Sequence, residues 1–441
     1  MHRFLHPVGR ALLPALTSLL LIPALATAAT EPAGFRPFAP DSIWNLPLRS
    51  DAPLQPSSGS YVSWLNQEIA KNGTWINTTS CGMPIYFADQ TTQPVKVTLA
   101  SSSYQDQALI RAWSAVPMPA GAKPANCSDK NLAIVQPQPD GTVREWEFWH
   151  AAQATNGSWS ARWGGAVQNL GGDRGVASSL EWQDPSTTSL AGRQSNYNWN
   201  VTASSMSMIA GVITRADAQS GHIDHAVAFA IPDTAKGKRV WPAQRTDGAS
   251  TDAYALPEGA RLRLDPKLDL SKLTMTPLVR MIAEAAQKYG MVIRDRTYST
   301  NVFVTEEPHA GETNPFKPLL DGQSPSDALK AFPWTHLQML QAPACPASGA
   351  CDTTQRATIN LSGSPKVGTP LTLDTSNSVL NQPRDQVLWD LDGDGRYETD
   401  ANAAVKETFV PRAAGSRAVS VKITTRAGSV VTGWRTITVA P

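Results

Sequence analysis

Charge is scarce in this chain of 441 residues: Asp, Glu, Lys and Arg together make up 17%. A chain that stays disordered needs far more charge and fewer apolar residues. Neither sign dominates, with 38 Lys and Arg against 37 Asp and Glu, and no basic block is present. That excludes a nucleic-acid binder and a polybasic membrane-surface protein. Cysteine is sparse at four residues, none of them in a CxxC or Cys/His zinc spacing. HExxH, GxSxG, GxGxxG and the P-loop pattern are missing, so neither a zincin nor a common serine-hydrolase elbow is supported. Beyond the first 28 residues no apolar run is long enough to span a bilayer as a helix of about 20 residues.

What is present points to an exported, turn-rich β protein. Arg3 and Arg10 precede the apolar run 11–22, and Ala26-Thr27-Ala28 fits a small-x-small cleavage site. Residues 1–28 are therefore expected to be a secretory signal peptide, and the mature chain to be soluble and secreted, extracellular or periplasmic. Its removal takes away two Arg and no acid, leaving 36 basic and 37 acidic side chains. Export favours oxidised cysteines, so two disulfides are expected, Cys81–Cys127 and Cys345–Cys351. The first would close a loop of about 45 residues, worth up to ~4 kcal/mol.

Composition also divides the chain. Residues 29–341 form a large region, 342–355 read as a small, polar, cysteine-bounded linker, and 356–441 as a short domain. The large region carries two helix patterns. One starts at Thr276-Pro277 and stops before Gly290, with Leu278, Met281, Ile282 and Ala285 at helical spacing; the other covers about 61–71. Elsewhere short alternating runs dominate: Val95/Val97/Leu99, Leu262/Leu264, and Val227/Phe229/Ile231 separated by alanines. The expected fold class is mainly β, a large β-sandwich or jelly-roll-like domain with a few peripheral helices, followed by a second small sandwich.

In that second domain, Val387-Leu388-Trp389-Asp390-Leu391-Asp392-Gly393-Asp394-Gly395 lies between strand patterns at 371–374 and 419–423. The WDLDGDG segment and its strand spacing resemble a PKD domain, an immunoglobulin-like β-sandwich, across 356–441. The resemblance implies Trp389 buried between two sheets, and a spacer or substrate-holding role of the kind such modules have in secreted polysaccharidases, chitinases and proteases. Asp390, Asp392 and Asp394 alternate before Gly395, like the first half of a calcium loop. Position twelve is Ala401, with Glu398 and Asp400 near but off register. A structural Ca²⁺ is one reading; a turn whose aspartates bond backbone amides is the other. No other cofactor is expected.

Six tryptophans, Trp146, Trp149, Trp159, Trp163, Trp182 and Trp199, fall within 54 residues. Flat aromatic faces pack on sugar rings, so Trp149, Trp159 and Trp163 are candidate glycan-binding residues; about half of the six are expected in the core. In Arg144–His150, period two puts Glu145, Glu147 and Trp149 on one face. If that face is solvent-facing and concave, two carboxylates about 7 Å apart suit glycoside hydrolysis, with Glu147 as acid and Glu145 or Asp247 as partner. In a lyase alternative, His225 abstracts the proton alpha to a uronate carboxylate that Arg245 neutralises. Asp295, between Arg294 and Arg296, is a possible third carboxylate or a surface charge cluster.

Segments such as PFAPDSIWN at 37–45, ITRADAQSGHIDHAVAF at 213–229 and EGARLRLDP at 258–266 resemble a group of uncharacterised secreted bacterial proteins. That resemblance implies one continuous domain over 37–340 and supplies no catalytic residues. The expected function is polysaccharide degradation by a hydrolase or lyase acting as a monomer on a polysaccharide or cell-surface glycan. Non-catalytic glycan binding or adhesion, and an atypical secreted protease, are the alternatives.

Overall fold

The structure is a computed structural model. It describes residues 54–102, 105–172, 199–341 and 357–441, except 377, 379–383, 393–396, 403 and 426–429, together with short stretches between 29 and 52. The signal and linker assignments, Trp182, Cys345, Cys351 and Asp394 therefore lie outside the described residues. Those residues are mainly β, with few helices.

A six-stranded mixed sheet organises the large region. Its order is Thr74–Ile76, Asn301–Phe303, Val227–Ile231, Met291–Arg296, Arg261–Leu264, Leu337–Met339. The alternation in Val227–Ile231 is real, yet both faces are buried. Val227, Phe229 and Ile231 enter one core with Leu278, Ile282 and Trp334. Ala228 enters a second core with Trp44 and Trp146. The alanines are small for a reason. Ala228 N–H donates to Gly211 C=O at 2.7 Å, so a chain segment lies directly against that strand. Gly211 itself has φ +67°, and a Cβ there would stand 2.5 Å from the Trp44 ring.

Both expected helices form. Ser58–Asn72 stops at Gly73, and Pro277–Lys288 begins after Thr276, although the Thr276 hydroxyl makes no capping bond. The second helix buries seven side chains against the sheet, more than a peripheral helix would. Its apolar stripe removes about 1.5–3 kcal/mol of exposure cost per large side chain.

A four-stranded sheet, ordered Trp163–Val167, Val143–Trp149, Leu132–Pro137, Ile85–Phe87, lies within the second core. Val143–Trp149 pairs antiparallel with both neighbours, and Trp163 stands opposite Trp149.

In 357–441 two further sheets form: Asn360–Ser362, Leu371–Asp374 and Lys406–Phe409, and Thr399–Asp400, Arg384–Asp390, Gly415–Thr425 and Val430–Val439. They enclose Leu371, Leu373, Val387, Val419, Val421 and Ile423, the interior of a β-sandwich. Trp389 is fully buried there, as the sequence resemblance implies.

Candidate functional site

The face carrying Glu145 and Glu147 is not a solvent-facing surface. Both residues are 1% exposed, because the segment 199–208 lies across them. Glu147 Oε1 accepts from Val201 N–H at 2.6 Å, and Oε2 from Met208 N–H at 2.6 Å and the Ser207 hydroxyl at 3.2 Å. Ser207 also reaches Glu145 at 3.0 Å. Opposite Glu147, a Cβ on Gly165 would stand 2.3 Å from the Asn200 amide oxygen, so only glycine lets the segment close. Burial pushes the Glu147 carboxyl up to about 7, against the lowering effect of these N–H donors and of Arg294. A carboxylate with both oxygens held by backbone amides, away from solvent, is a structural bracket.

His225 is likewise occupied. Nδ1 faces Ala226 C=O at 2.9 Å and Nε2 faces the Asp217 carboxylate at 3.1 Å. Both partners are acceptors, which favours a doubly protonated ring. Burial opposes that charge, but Asp217 outweighs it and the histidine pKa is raised. Asp217 belongs to the capping box of the helix Arg215–Ser220, so His225 ties a strand start to a helix start. An imidazole with both ring nitrogens engaged by acceptors of the protein has none turned to a substrate proton, which corrects the lyase assignment.

Arg245 gathers the remaining candidates. Its Nη2 donates to Thr202 C=O at 2.8 Å and Asn200 C=O at 3.2 Å. Asp295, Glu258, Asp247 and Glu147 all lie within its electrostatic reach. Asp247 Oδ2 accepts from the Tyr298 hydroxyl at 2.7 Å, and Tyr298 is 69% exposed. Asp295 accepts from Ala203 N–H at 3.2 Å, and burial pushes its carboxyl up to about 6. It is therefore part of a half-buried network tied to the 199–208 segment and not of a surface charge cluster. Glu258, which the sequence pattern does not single out, is fully enclosed with Thr246 and Asp247 beside it. Burial and the neighbouring Asp295 raise its pKa well above the usual carboxylate range. Asn200, Ser205 and Tyr298 in this network all have positive φ, uncommon for residues with side chains. Sequence periodicity carries no sign of that strain.

A ligand-sized concavity among the described residues lies elsewhere. A cleft of about 620 Å³ is lined by Tyr86, Lys123, Asn126, Cys127, Lys130, Gln153, Trp159, Glu307 and His309 among others. Tyr86 and His309 stack face to face, centroids 3.9 Å apart and planes 2° apart. The Tyr86 hydroxyl accepts from Lys123 N–H at 3.1 Å, and His309 Nε2 meets Ile85 C=O at 2.9 Å. Of the tryptophans, Trp146, Trp159 and Trp199 are buried, while Trp149 and Trp163 are half-buried cross-strand neighbours. Only Trp159 among the three candidate glycan-binding tryptophans lines the cleft.

Cys81 and Cys127 are free thiols, which corrects the expected disulfide. They are nonetheless neighbours: burial, followed by its contact with Cys127, pushes the Cys81 thiol up to about 12. In the small sandwich, Asp390, Asp392 and Glu398 bring carboxylate oxygens within 4.8 Å of one another. Glu398, not position twelve, is the acid that the fold supplies.

No family model and no curated protein sequence matches the chain. Solved structures give partial likenesses. One, described as "Structural basis for the promiscuous specificity of the carbohydrate-binding modules from the beta-sandwich super family", is 20% identical, covers 19% of this chain and 34% of its own, with TM-score 0.17. The PKD1 domain of the Vibrio cholerae metalloprotease PrtV is 22% identical over 19% of this chain and 95% of its own, with TM-score 0.16. The fibronectin(III)-like modules of Clostridium thermocellum CbhA give 13% identity, 19% and 97% coverage and TM-score 0.16. Likenesses of this extent carry no argument about function.

Proposed function

We propose that this is an exported glycan-binding protein that holds its ligand in the cleft beside the Tyr86–His309 stack. The observation that carries the reading is that cleft: about 620 Å³, walled by stacked rings, Trp159, prolines and alanines, and rimmed by the amides of Asn126 and Gln153. Sugar sites combine such apolar walls with a few polar groups, in volumes of about 300–1,000 Å³. Binding is favoured over hydrolysis because Glu145, Glu147 and His225 are enclosed and occupied by structural partners. Ala152 is exposed and lines the cleft, so Ala152→Trp fills the opening from a solvent-facing position. In affinity electrophoresis against a glycan panel, the wild type should be retarded by at least one polymer. Ala152→Trp should weaken that binding by about tenfold or more, roughly 1.4 kcal/mol. Equal retardation of both proteins would move the site away from the cleft.

The same reading takes residues 356–441 as a PKD-like module that spaces or anchors the large region. Asp390, Asp392 and Glu398 suit a hard, oxygen-preferring cation such as Ca²⁺. Millimolar Ca²⁺ should then raise the melting temperature, through a stabilisation of about 2.7 kcal/mol at a hundredfold excess over Kd. Asp392→Asn should abolish that rise, and an unchanged melting curve in Ca²⁺ would remove the cation.

A further inference from the structure

We infer that the cleft takes a negatively charged sugar, one bearing a carboxylate or a sulfate; this rests on the glycan-binding reading above. The argument is the charge left available at the cleft wall. Lys123 and Lys130 both line it, both are exposed, and neither forms an ion pair among the described residues. Their positions are fixed by backbone contacts. Lys123 N–H donates to the Tyr86 hydroxyl, and Lys130 C=O accepts from Ala151 N–H at 3.0 Å. Lys130 has φ +47°, a left-handed backbone that turns the chain at the cleft lip.

The groups that would oppose an anion are already engaged. Glu307 is the acidic residue of the lining, and both its oxygens accept backbone bonds, from Gly82 N–H at 3.2 Å and Asn126 N–H at 3.0 Å. Burial raises its pKa, against the lowering effect of those two backbone bonds. His309 donates from Nε2 to Ile85 C=O, its Nδ1 lies 3.6 Å from the Glu312 carboxylate, and burial lowers its pKa. Asp129, next to Lys130, is turned to the Trp149 indole N–H at 3.3 Å. Two exposed lysines thus line a ligand-sized space whose own carboxylate is tied to the backbone. A neutral sugar would leave both without a counter-charge, while a uronate or sulfated sugar supplies one.

Isothermal titration against polygalacturonate, chondroitin sulfate and uncharged dextran tests this, with wild type and Lys123→Gln/Lys130→Gln. Both substituted positions are exposed, so the melting temperature should stay within about 2 °C. Wild type should bind an anionic polymer and weaken about tenfold or more as salt rises from about 0.05 to 0.3 M, because exposed charges are screened. The double variant should lose about tenfold or more of that affinity and most of the salt dependence. Preference for polygalacturonate or for chondroitin sulfate separates carboxylate from sulfate recognition. If dextran binds as tightly as the anionic polymers, and the double variant binds like wild type, the anionic inference fails while the glycan-binding reading stands. If Ala152→Trp and wild type bind no polymer at all, both fall.

Discussion

Glu147→Gln should lower the melting temperature by about 5–10 °C, the effect of losing roughly 2–4 kcal/mol in a domain of this size. Glu147 is 1% exposed, and its two oxygens each accept a backbone N–H at 2.6 Å, from Val201 and Met208. Glutamine keeps one oxygen and replaces the other with an NH₂ group. Whichever way the amide turns, one backbone donor meets another donor in a site closed to water, and an unsatisfied buried group costs about 1–3 kcal/mol. The Ser207 hydroxyl, which bridges Glu145 and Glu147, loses part of its network as well. Glu147→Asp keeps both acceptors on a shorter stem and should fall between the two. Thermal unfolding followed by circular dichroism reads this directly. A Glu147→Gln protein with the wild-type melting temperature and a lost glycan-cleaving activity would return this carboxyl to catalysis.

Stability should rise as the pH falls from about 8 to 5.5. Burial pushes Glu147 and Glu306 up to about 7 and Asp295 up to about 6, and it raises Glu258 well above the usual carboxylate range. Each therefore holds a proton in the folded protein at a pH where the unfolded chain has released it. Their ionisation above pH 6–7 works against the fold. Acidification relieves that, by about 1.4 kcal/mol for every tenfold difference in proton affinity between the folded and unfolded chain. His225 acts in the same direction. Burial lowers its pKa, but Asp217 raises it more, so its stabilisation is complete below the unfolded value and is lost as pH rises through the folded one. His150 and His309 oppose this, since burial lowers their pKa and protonation below about 6.5 favours the unfolded chain. Asp217 has a lowered pKa: burial alone would raise it, but His225 and the Thr214 bonds outweigh that. Its stabilisation is lost only as the pH falls through a value below 3.8, so the gain should reverse in strong acid. Six raised carboxyls, Glu31 and Glu307 included, and one raised histidine outweigh two lowered histidines, and the net gain should be at least ~2 kcal/mol. Denaturant melts at pH 8.0, 7.0, 6.0 and 5.5 measure it; a flat or falling series would mean these groups are solvated in the native protein.

Local pattern decided a good deal here. The helix Pro277–Lys288 follows from a proline at its first position, apolar residues at helical spacing and Gly290 after it. The period-two strands follow from Val227/Phe229/Ile231 and Leu262/Leu264, and the buried Trp389 is what the WDLDGDG resemblance implies. These features are legible because neighbours within a few residues set backbone geometry and side-chain direction. The same period correctly placed Glu145, Glu147 and Trp149 on one face.

Tertiary structure alone decided what that face meets. Period two says which side chains share a side and nothing of what lies across it; the cover came from 199–208, more than 50 residues further along the chain. That cover changes Glu147 from an exposed acid to a backbone bracket. In the same way, Asp217 claims His225, and Glu258, Asp247 and Asp295 meet around Arg245 only because three separate segments converge there. The cleft draws Tyr86, Lys123, Lys130 and His309 from positions more than 200 residues apart. Burial, pKa and ligand-sized space depend on through-space density and dielectric, and no local spacing of residue types encodes them.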